Sequence, residues 1–210
     1  MNTSQMTTTA IDAIILDAAD ATAAQDFYRT AFGIESFVRT RTADAPTEGF
    51  RGYTMSLIAS QPADVNVLVD AALDAGATIL KPAEKSFWGY GGAVQAPDGA
   101  VWTIASSSKK DTGPATGKID DVTLLLGVVD VKASKRFYVD RGFAVKRSFG
   151  GKYVEFDTPD APIKFGLNPR HLLAKNAGVS ADGSGSHRLT IVGDDGEFTD
   201  PDGFVWTSGE

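Results

Sequence analysis

The sequence predicts an α+β fold made of two consecutive, related halves. Three observations lead to this prediction. The halves open with the same kind of strand and helix, they close with the same eight-residue motif, and a polar segment separates them. Because an internal repeat is one structural unit used twice, we expect each half to contain a similar arrangement of strands and helices.

Each half begins with a strand followed by a helix. Residues 10–16 and 119–126 are apolar runs of strand length, and helical stretches follow at 20–32 and 130–141. Each helical stretch starts at an aspartate, a preferred N-cap residue, and a glycine follows its end. Apolar residues at helical spacing, such as Phe27, predict the helix face that packs on the sheet.

Each half also closes in the same way. The motif reads Ala96-Pro-Asp-Gly-Ala-Val-Trp-Thr103 in the first half and Asp200-Pro-Asp-Gly-Phe-Val-Trp-Thr207 in the second. Proline fixes φ and glycine supplies a positive φ, so Pro-Asp-Gly predicts a tight turn between two antiparallel strands.

The halves differ between these shared ends. In the first half, the pattern predicts a helix at 62–75 and strands at 50–59, 78–80 and 91–95. In the second half, it predicts strands at 153–156, 163–167 and 187–192. No second helix is expected in the second half.

A linker divides the chain near its middle. Residues 106–117 are polar and rich in glycine, proline and serine, which is typical of a linker. This places a first half at 10–105 and a second half at 118–210. Residues 1–9 form a short polar N-terminus that we expect to be flexible.

Composition excludes several classes of protein and partner. The chain has no cysteine, which removes disulfides and thiolate metal sites. Its net charge is −7, and its basic residues form no cluster that would neutralise a nucleic acid backbone. No apolar run approaches the ~20 residues that span a bilayer, and a secretory signal is not recognised. We therefore expect a cytoplasmic protein that binds neither nucleic acid nor membrane.

The order of these features resembles the vicinal oxygen chelate superfamily, which includes glyoxalase I, extradiol dioxygenases and bleomycin-resistance proteins. The resemblance rests on helices that end in Phe-Tyr followed by Phe-Gly or Gly-Phe, on Phe87-Trp-Gly-Tyr-Gly-Gly92, and on Pro-Asp-Gly-x-Val-Trp. It implies tandem βαβββ modules whose mixed sheets curl into ligand-holding cups. Compared with complete members, the first half lacks two strands before Phe50, and the second half lacks its second helix and the following strand.

The resemblance also implies positions for a metal ion, and this sequence fills them with weak ligands. Lyases and dioxygenases of the superfamily use histidine and glutamate there. The corresponding positions are Ala13, Gly52, Thr103, Asp121 and Thr207. Asp121 and His187 would form only a two-ligand remnant, whereas catalytic metal sites usually have three protein ligands. We therefore expect no metal and no other cofactor.

Aromatic residues dominate the candidate ligand site. The segment 87–92 places an indole and a phenol beside three glycines, which suits stacking on a planar or apolar molecule. Tryptophans that match between repeats serve first to pack a core, so Trp102 and Trp206 are weaker candidates. The candidate ligand-binding residues are Phe87, Trp88, Tyr90, Trp102, Trp206, Asp121 and His187, and no catalytic residue is assigned.

Three functions from different classes fit these features. The favoured one is a metal-independent binding protein of the antibiotic-sequestering type, which holds a small planar or apolar molecule. The alternative is a lyase, isomerase or dioxygenase that uses Asp121 and His187. The third is a structural or regulatory dimer whose cup is filled by side chains. The sequence leaves open whether the chain forms a homodimer.

Overall fold

The computed structural model describes residues 10–209, so the expected flexible N-terminus at 1–9 lies outside the described residues. The strands of this part of the chain are β1 (Ile11–Ala18), β2 (Val38–Thr42), β3 (Thr47–Gly49), β4 (Tyr53–Ile58), β5 (Thr78–Ser86), β6 (Gly89–Gln95), β7 (Val101–Ser106), β8 (Asp121–Val128), β9 (Val145–Ser148), β10 (Val154–Phe156), β11 (Lys164–Pro169), β12 (Gly183–Gly185), β13 (Leu189–Gly193), β14 (Phe198–Thr199) and β15 (Val205–Ser208). The helices are α1 (Ala21–Phe32), α2 (Pro62–Asp74), α3 (Val131–Asp140) and α4 (Arg170–Ala177). Between residues 10 and 209, none of the helices has the length and apolar character needed to cross a membrane.

Two large sheets combine strands from both halves of the chain. The eight-stranded sheet has the order β5-β6-β7-β4-β8-β11-β10-β9, and the five-stranded sheet has the order β14-β15-β13-β1-β2. In the first sheet, β4 pairs antiparallel with β8, and in the second, β1 pairs antiparallel with β13. The predicted α+β tandem fold is confirmed, and each sheet depends on both halves.

The topology shows how the incomplete halves fit together. The segments β4-α2-β5-β6-β7 and β8-α3-β9-β10-β11 are complete βαβββ modules, and together they form the eight-stranded sheet. The segment β1-α1-β2 lacks the last two strands of a module, and β13-β14-β15 lacks the helix and one strand. These two partial modules form the five-stranded sheet. Complete modules therefore pair with each other, and so do incomplete ones.

The repeated helices begin and end where the sequence signals predict. The Asp20 carboxylate accepts a hydrogen bond from the backbone N–H of Ala23 at 3.0 Å, and Asp130 accepts one from Lys132 at 2.9 Å. Helix α1 ends at Gly33, whose φ of 65° is in the left-handed region. Such aspartate caps stabilise a helix by about 1 kcal/mol each.

Helix α4 corrects the expectation of a second half without a further helix. It begins directly after β11 and ends at Gly178, whose φ is 77°. Its apolar side chains Leu173, Ala174 and Ala177 are buried. The helix missing from the last module is not replaced, because α4 precedes β13 and packs on the eight-stranded sheet.

One apolar core joins the two sheets and helices α1 to α3. Trp102 and Trp206, from the two closing motifs, both lie in it and are 0% and 1% exposed. Trp102 is therefore enclosed by the core, whereas Trp206 also lines a cleft of about 840 Å³ on the five-stranded sheet. Their equivalent positions in β7 and β15 explain why the motif repeats: each indole anchors a closing strand in the core.

The segment between the halves is held against helix α2. The side chain of Gln61 accepts a hydrogen bond from the backbone N–H of Thr112 at 2.7 Å, and Asp64 accepts one from Gly117 at 2.9 Å. Hydrogen bonds from the backbone, that of Thr116 foremost, lower the pKa of Asp64 below 3.8. The segment 106–117 therefore has the composition of a linker, but hydrogen bonds to Gln61 and Asp64 hold it in place.

Candidate functional site

The eight-stranded sheet has one face in the core and one face away from it. Side chains alternate across each strand, so Met55 points into the core while its neighbours Thr54 and Ser56 lie on the other face, which we call the cup face. Across neighbouring strands, Ser56 is in register with Thr103 of β7, and Thr54 is in register with Leu125 of β8. The complete modules thus place hydroxyl groups at the centre of the cup face.

A cavity of about 430 Å³ lies on this face. We call β4 and β7 its floor, the β5–β6 hairpin its wall and rim, and α4 its remaining side. The residues that define these parts are Thr54, Ser56 and Thr103 in the floor, Lys81, Glu84, Ser86, Trp88 and Tyr90 in the hairpin, and Leu173 and Asn176 in α4.

Helix α4 fills the part of the cup next to this cavity. Leu173 belongs to a small apolar cluster with Phe50 and Val101, separate from the main core. Arg170 fixes the start of the helix: its Nε donates to the carbonyl of Ala181 at 2.9 Å, and its guanidinium lies 5.2 Å from the centre of the Phe50 ring. The cavity is therefore the space that α4 leaves open.

The floor of the cavity holds both paired and unpaired hydroxyls. Ser56 and Thr103 form a hydrogen bond with each other through their side-chain oxygens. Thr54 is 0% exposed, and its hydroxyl finds no hydrogen-bond partner within residues 10–209. A buried hydroxyl without a partner destabilises a fold by roughly 1–3 kcal/mol. Such a group is uncommon in a folded protein, and this one lies against a cavity.

The wall contributes one positive and one negative side chain. Lys81 and Glu84 both line the cavity. Neither forms a salt bridge with another residue of the described chain. Their opposite charges offset each other, so the cavity attracts neither anions nor cations strongly.

The rim exposes the aromatic residues that the sequence marked. Trp88 and Phe87 lie at the tip of the β5–β6 hairpin, are 83% and 82% exposed, and have ring centres 4.9 Å apart in an edge-to-face arrangement. Tyr90 is half-buried, and its hydroxyl donates to Asn66 at 2.8 Å. Trp88 and Tyr90 line the cavity together, whereas Phe87 stands outside its lining.

The glycines of this hairpin have a backbone role that the sequence interpretation missed. A side chain at Gly89, whose φ is 146°, would collide with the carbonyl oxygen of Ser106. A Cβ at Gly91 would lie 2.7 Å from the carbonyl oxygen of Ile104. These glycines therefore let the hairpin approach β7 closely, rather than serving to leave the rings open to a ligand.

Comparison with solved structures identifies the architecture. Glyoxalase I from Zea mays matches with a TM-score of 0.63 and 15% identity, over 96% of this chain and 92% of that chain. Its V278E mutant matches equally well, with a TM-score of 0.63 and 16% identity over the same shares. The chain has the glyoxalase fold.

A third solved structure extends the likeness. A putative dioxygenase from Bacillus subtilis subsp. subtilis str. 168 matches with a TM-score of 0.52 and 10% identity, over 88% of this chain and 70% of that chain. No family model and no curated protein matches the sequence. The resemblance drawn from the sequence motifs is thus confirmed for the glyoxalase fold.

The glyoxalase fold keeps Asp121 and His187 apart. Asp121 is the first residue of β8. Just past the other end of this strand, the backbone N–H of Val129 donates to the Asp202 carboxylate at 2.7 Å. Nε2 of His187 lies 3.1 Å from the carbonyl oxygen of the same Asp202. Eight strand residues span about 26 Å. The structure therefore does not bring Asp121 and His187 together, because the two residues lie near opposite ends of one strand.

Each of the two residues has separate surroundings. Both ring nitrogens of His187 face carbonyl oxygens, that of Arg51 at 2.6 Å and that of Asp202, and the ring stacks on Phe204 with centres 4.0 Å apart. This geometry leaves neither nitrogen free for a metal. Asp121 lines a different cavity of about 430 Å³, beside the end of α1.

The cup of this glyoxalase fold does not have a donor set that fits a divalent metal ion. The floor positions of β4 and β7 carry the neutral hydroxyls of Ser56 and Thr103, which are weak ligands. Within the described range 10–209, no three histidine, aspartate or glutamate side chains are grouped so as to hold a metal. The same cavity does offer apolar surface, hydroxyls and an exposed indole.

Proposed function

We propose that the cup of the eight-stranded sheet binds a small planar organic molecule without a metal ion, as a binding protein of the antibiotic-sequestering type. The observation that carries this proposal is the cavity of about 430 Å³ beneath Trp88. Its volume falls within the range of ~300–1,000 Å³ that small-molecule sites occupy. Its lining combines apolar and aromatic surface with hydroxyl, amide and charged side chains that can orient a ligand.

The exposed rim supports the same proposal. Large aromatic side chains at a surface mark interaction sites, because burying them on binding removes apolar area from water. Burial of one large apolar side chain contributes ~1.5–3 kcal/mol. Stacking on an aromatic ligand adds ~0.5–1.5 kcal/mol. Because Trp88 is 83% exposed, nearly all of its apolar surface is still available to be buried by a ligand.

The floor of the cavity and the position of His187 support binding rather than catalysis. Chemistry at a site usually needs a metal, a nucleophile with an activating base, or a pair of acid and base groups. The floor instead holds Ser56 and Thr103, whose hydroxyls hydrogen-bond to each other, and Thr103 also donates to the carbonyl of Met55 at 3.5 Å. His187, the histidine that the enzymatic alternative used, is committed to backbone carbonyls elsewhere.

Replacement of Trp88 tests the proposal. Planar aromatic compounds, beginning with 2-naphthol, are titrated by calorimetry against the wild type, Trp88→Ala and Phe87→Ala. We expect Trp88→Ala to bind 10- to 100-fold more weakly, which corresponds to ~1.4 kcal/mol per decade. Phe87→Ala is the matched control, because Phe87 is equally exposed but does not line the cavity.

Stability measurements separate a binding defect from a folding defect. Both variants should unfold within ~0.5 kcal/mol of the wild type, since the side chains are exposed. Absence of binding across the aromatic panel, or equal binding by wild type and Trp88→Ala, would contradict the proposed function.

A further inference from the structure

We infer that Thr54 selects the ligand: the molecule that enters the cup is an uncharged planar compound with a hydroxyl or similar polar group at the end that reaches the floor. This inference rests on the proposed function and deepens it by naming the class of ligand. The observation behind it is the buried, unpaired hydroxyl of Thr54 in the floor of the cavity.

Thr54 differs from the other polar groups of the floor in being unsatisfied. The Ser56 and Thr103 hydroxyls hydrogen-bond to each other and Thr103 donates to the Met55 carbonyl, so neither requires a ligand. The hydroxyl of Thr54 finds no partner within residues 10–209, and its cross-strand neighbour Leu125 is apolar. A ligand that supplies a hydrogen-bond partner there would satisfy a group that otherwise destabilises the fold.

The same logic works against ligands without a polar end. An apolar group placed against Thr54 would leave the buried hydroxyl unpaired inside the complex, so it would gain no hydrogen bond at the floor. Sites with buried hydrogen-bonding groups reject analogues that lack the matching group far more strongly than apolar pockets reject a missing methylene. Thr54 is therefore a specificity-determining residue rather than a source of general affinity.

The remaining lining sets the other properties of the ligand. The opposite charges of Lys81 and Glu84 favour a ligand without net charge. The indole of Trp88 lines the same cavity as Thr54, so one molecule can stack at the rim and bond at the floor. A flat aromatic body with one hydroxyl, as in a phenol, meets both requirements.

A pair of shape-matched probes tests the inference on the wild-type protein. The probes are 2-naphthol and 2-methylnaphthalene, which differ by a hydroxyl in place of a methyl group. We expect the wild type to bind 2-naphthol at least 10-fold more tightly. The preference should fall to within about twofold in Thr54→Val and be kept in Thr54→Ser, which restores a hydroxyl.

Thr158 provides a matched control. It is 3% exposed and its hydroxyl also finds no partner in the described chain, but it does not line the cavity. Thr158→Val should therefore leave the preference for 2-naphthol unchanged. An equal loss of preference in Thr158→Val and Thr54→Val would mean that the effect reaches the cavity through general destabilisation, and it would overturn the inference.

The outcomes also separate the inference from the proposed function. If the wild type binds both probes with equal affinity, the cup binds planar molecules but Thr54 does not select them, and the inference fails alone. If neither probe binds and the wider aromatic panel also fails, both are overturned. Because the wild-type comparison needs no variant, poor folding of Thr54→Val leaves the inference testable.

Discussion

Removal of one hydroxyl in the core, by Tyr138→Phe, should destabilise the protein more at neutral than at acidic pH. Tyr138 is fully buried, and its hydroxyl donates to the Asp200 carboxylate at 2.7 Å while accepting from Trp206 Nε1 at 3.2 Å. The other carboxylate oxygen of Asp200 accepts the backbone N–H groups of Asp202 and Phe204 at 2.9 and 2.8 Å. The substitution therefore removes one partner from a buried anion and one from a buried indole.

The magnitude follows from these two losses. A hydrogen bond to a charged group contributes ~1.5–3 kcal/mol, and a buried donor left without a partner costs ~1–3 kcal/mol. Since the two losses share one hydroxyl and the site relaxes, we expect a total of about 3–4 kcal/mol at pH 7.5. That is a large share of the ~5–15 kcal/mol that stabilises an ordinary domain.

The pH dependence has a definite sign. Burial raises the pKa of Asp200 above 3.8, and the hydrogen bond from Tyr138 acts in the opposite direction. A raised pKa means that the folded protein gains stability as the pH falls through that pKa. Without the Tyr138 hydroxyl the pKa rises further, so the variant loses less relative to the wild type once Asp200 is protonated. The difference between the two proteins should narrow from pH 7.5 towards pH 4.

The internal repeat supplies the control. Tyr28 occupies the position of Tyr138 in the first half and donates to Asp98 at 2.7 Å. Asp98 is only partly buried, and Trp102 Nε1 finds no partner within the described residues, so Tyr28→Phe orphans no indole. We expect a loss of about 1 kcal/mol. Urea unfolding at both pH values measures the difference. Equal losses in the two variants, or a Tyr138→Phe loss that grows on acidification, would refute this reasoning.

Three further predictions concern the metal, the linker and the hairpin. Purified protein should hold well under one equivalent of zinc, nickel, iron or manganese, and a chelator should leave its melting temperature unchanged; one tightly bound ion per chain would contradict the hydroxyl floor at Ser56 and Thr103. Asp64→Ala should speed proteolysis within 106–117, because it removes the hydrogen bonds to Thr116 and Gly117. The two fragments should still co-elute, because each large sheet contains strands of both halves. Equal cleavage rates in the variant and the wild type would refute the role of Asp64. Gly89→Ala should destabilise the protein by at least ~1–3 kcal/mol in urea unfolding, because alanine is strained at a φ of 146°; an unchanged midpoint would contradict it.

The sequence predicted the repeat and the missing elements because those features are local. The two Pro-Asp-Gly turns, the aspartate caps and the short distance before Phe50 are each visible within a few residues. The pairing of modules is different in kind. It depends on contacts between β4 and β8 and between β1 and β13, which are far apart in the chain. No local pattern distinguishes the arrangement observed from one in which each half closes on itself.

Helix α4 was missed because its signal is short. Leu173, Ala174 and Ala177 fall on one face, and Gly178 follows as a stop, so a pattern existed. A helix of eight residues is marginal on propensity alone and is stabilised chiefly by packing. Here the packing surface is the cup face of the eight-stranded sheet, which strands of both halves build, and a local interpretation does not see it.

The hydroxyl floor also had a signal in the sequence. In Tyr53-Thr54-Met55-Ser56-Leu57, polar residues alternate with large apolar ones, which is typical of a strand with one face in the core and one face outside it. This alternation predicts a strand, but it does not distinguish a face that lines a cavity from one that meets solvent. Of the aromatic candidates, Trp88 and Tyr90 line the same cavity, whereas the core encloses Trp102.

The completeness of the modules, rather than the repeated motif, determines which sheet forms the cup. Thr103 and Thr207 hold equivalent places in β7 and β15, so the motif alone would give both sheets the same floor. Around Thr103, the β5–β6 hairpin supplies a wall and α4 a further side. On the five-stranded sheet, Thr207 lies instead beside the short β14–β15 pair, in a broader cleft of about 840 Å³ that also contains the Arg41–Asp17 ion pair. The complete modules therefore form a walled cavity on the eight-stranded sheet, whereas the incomplete modules form a wider cleft on the five-stranded sheet.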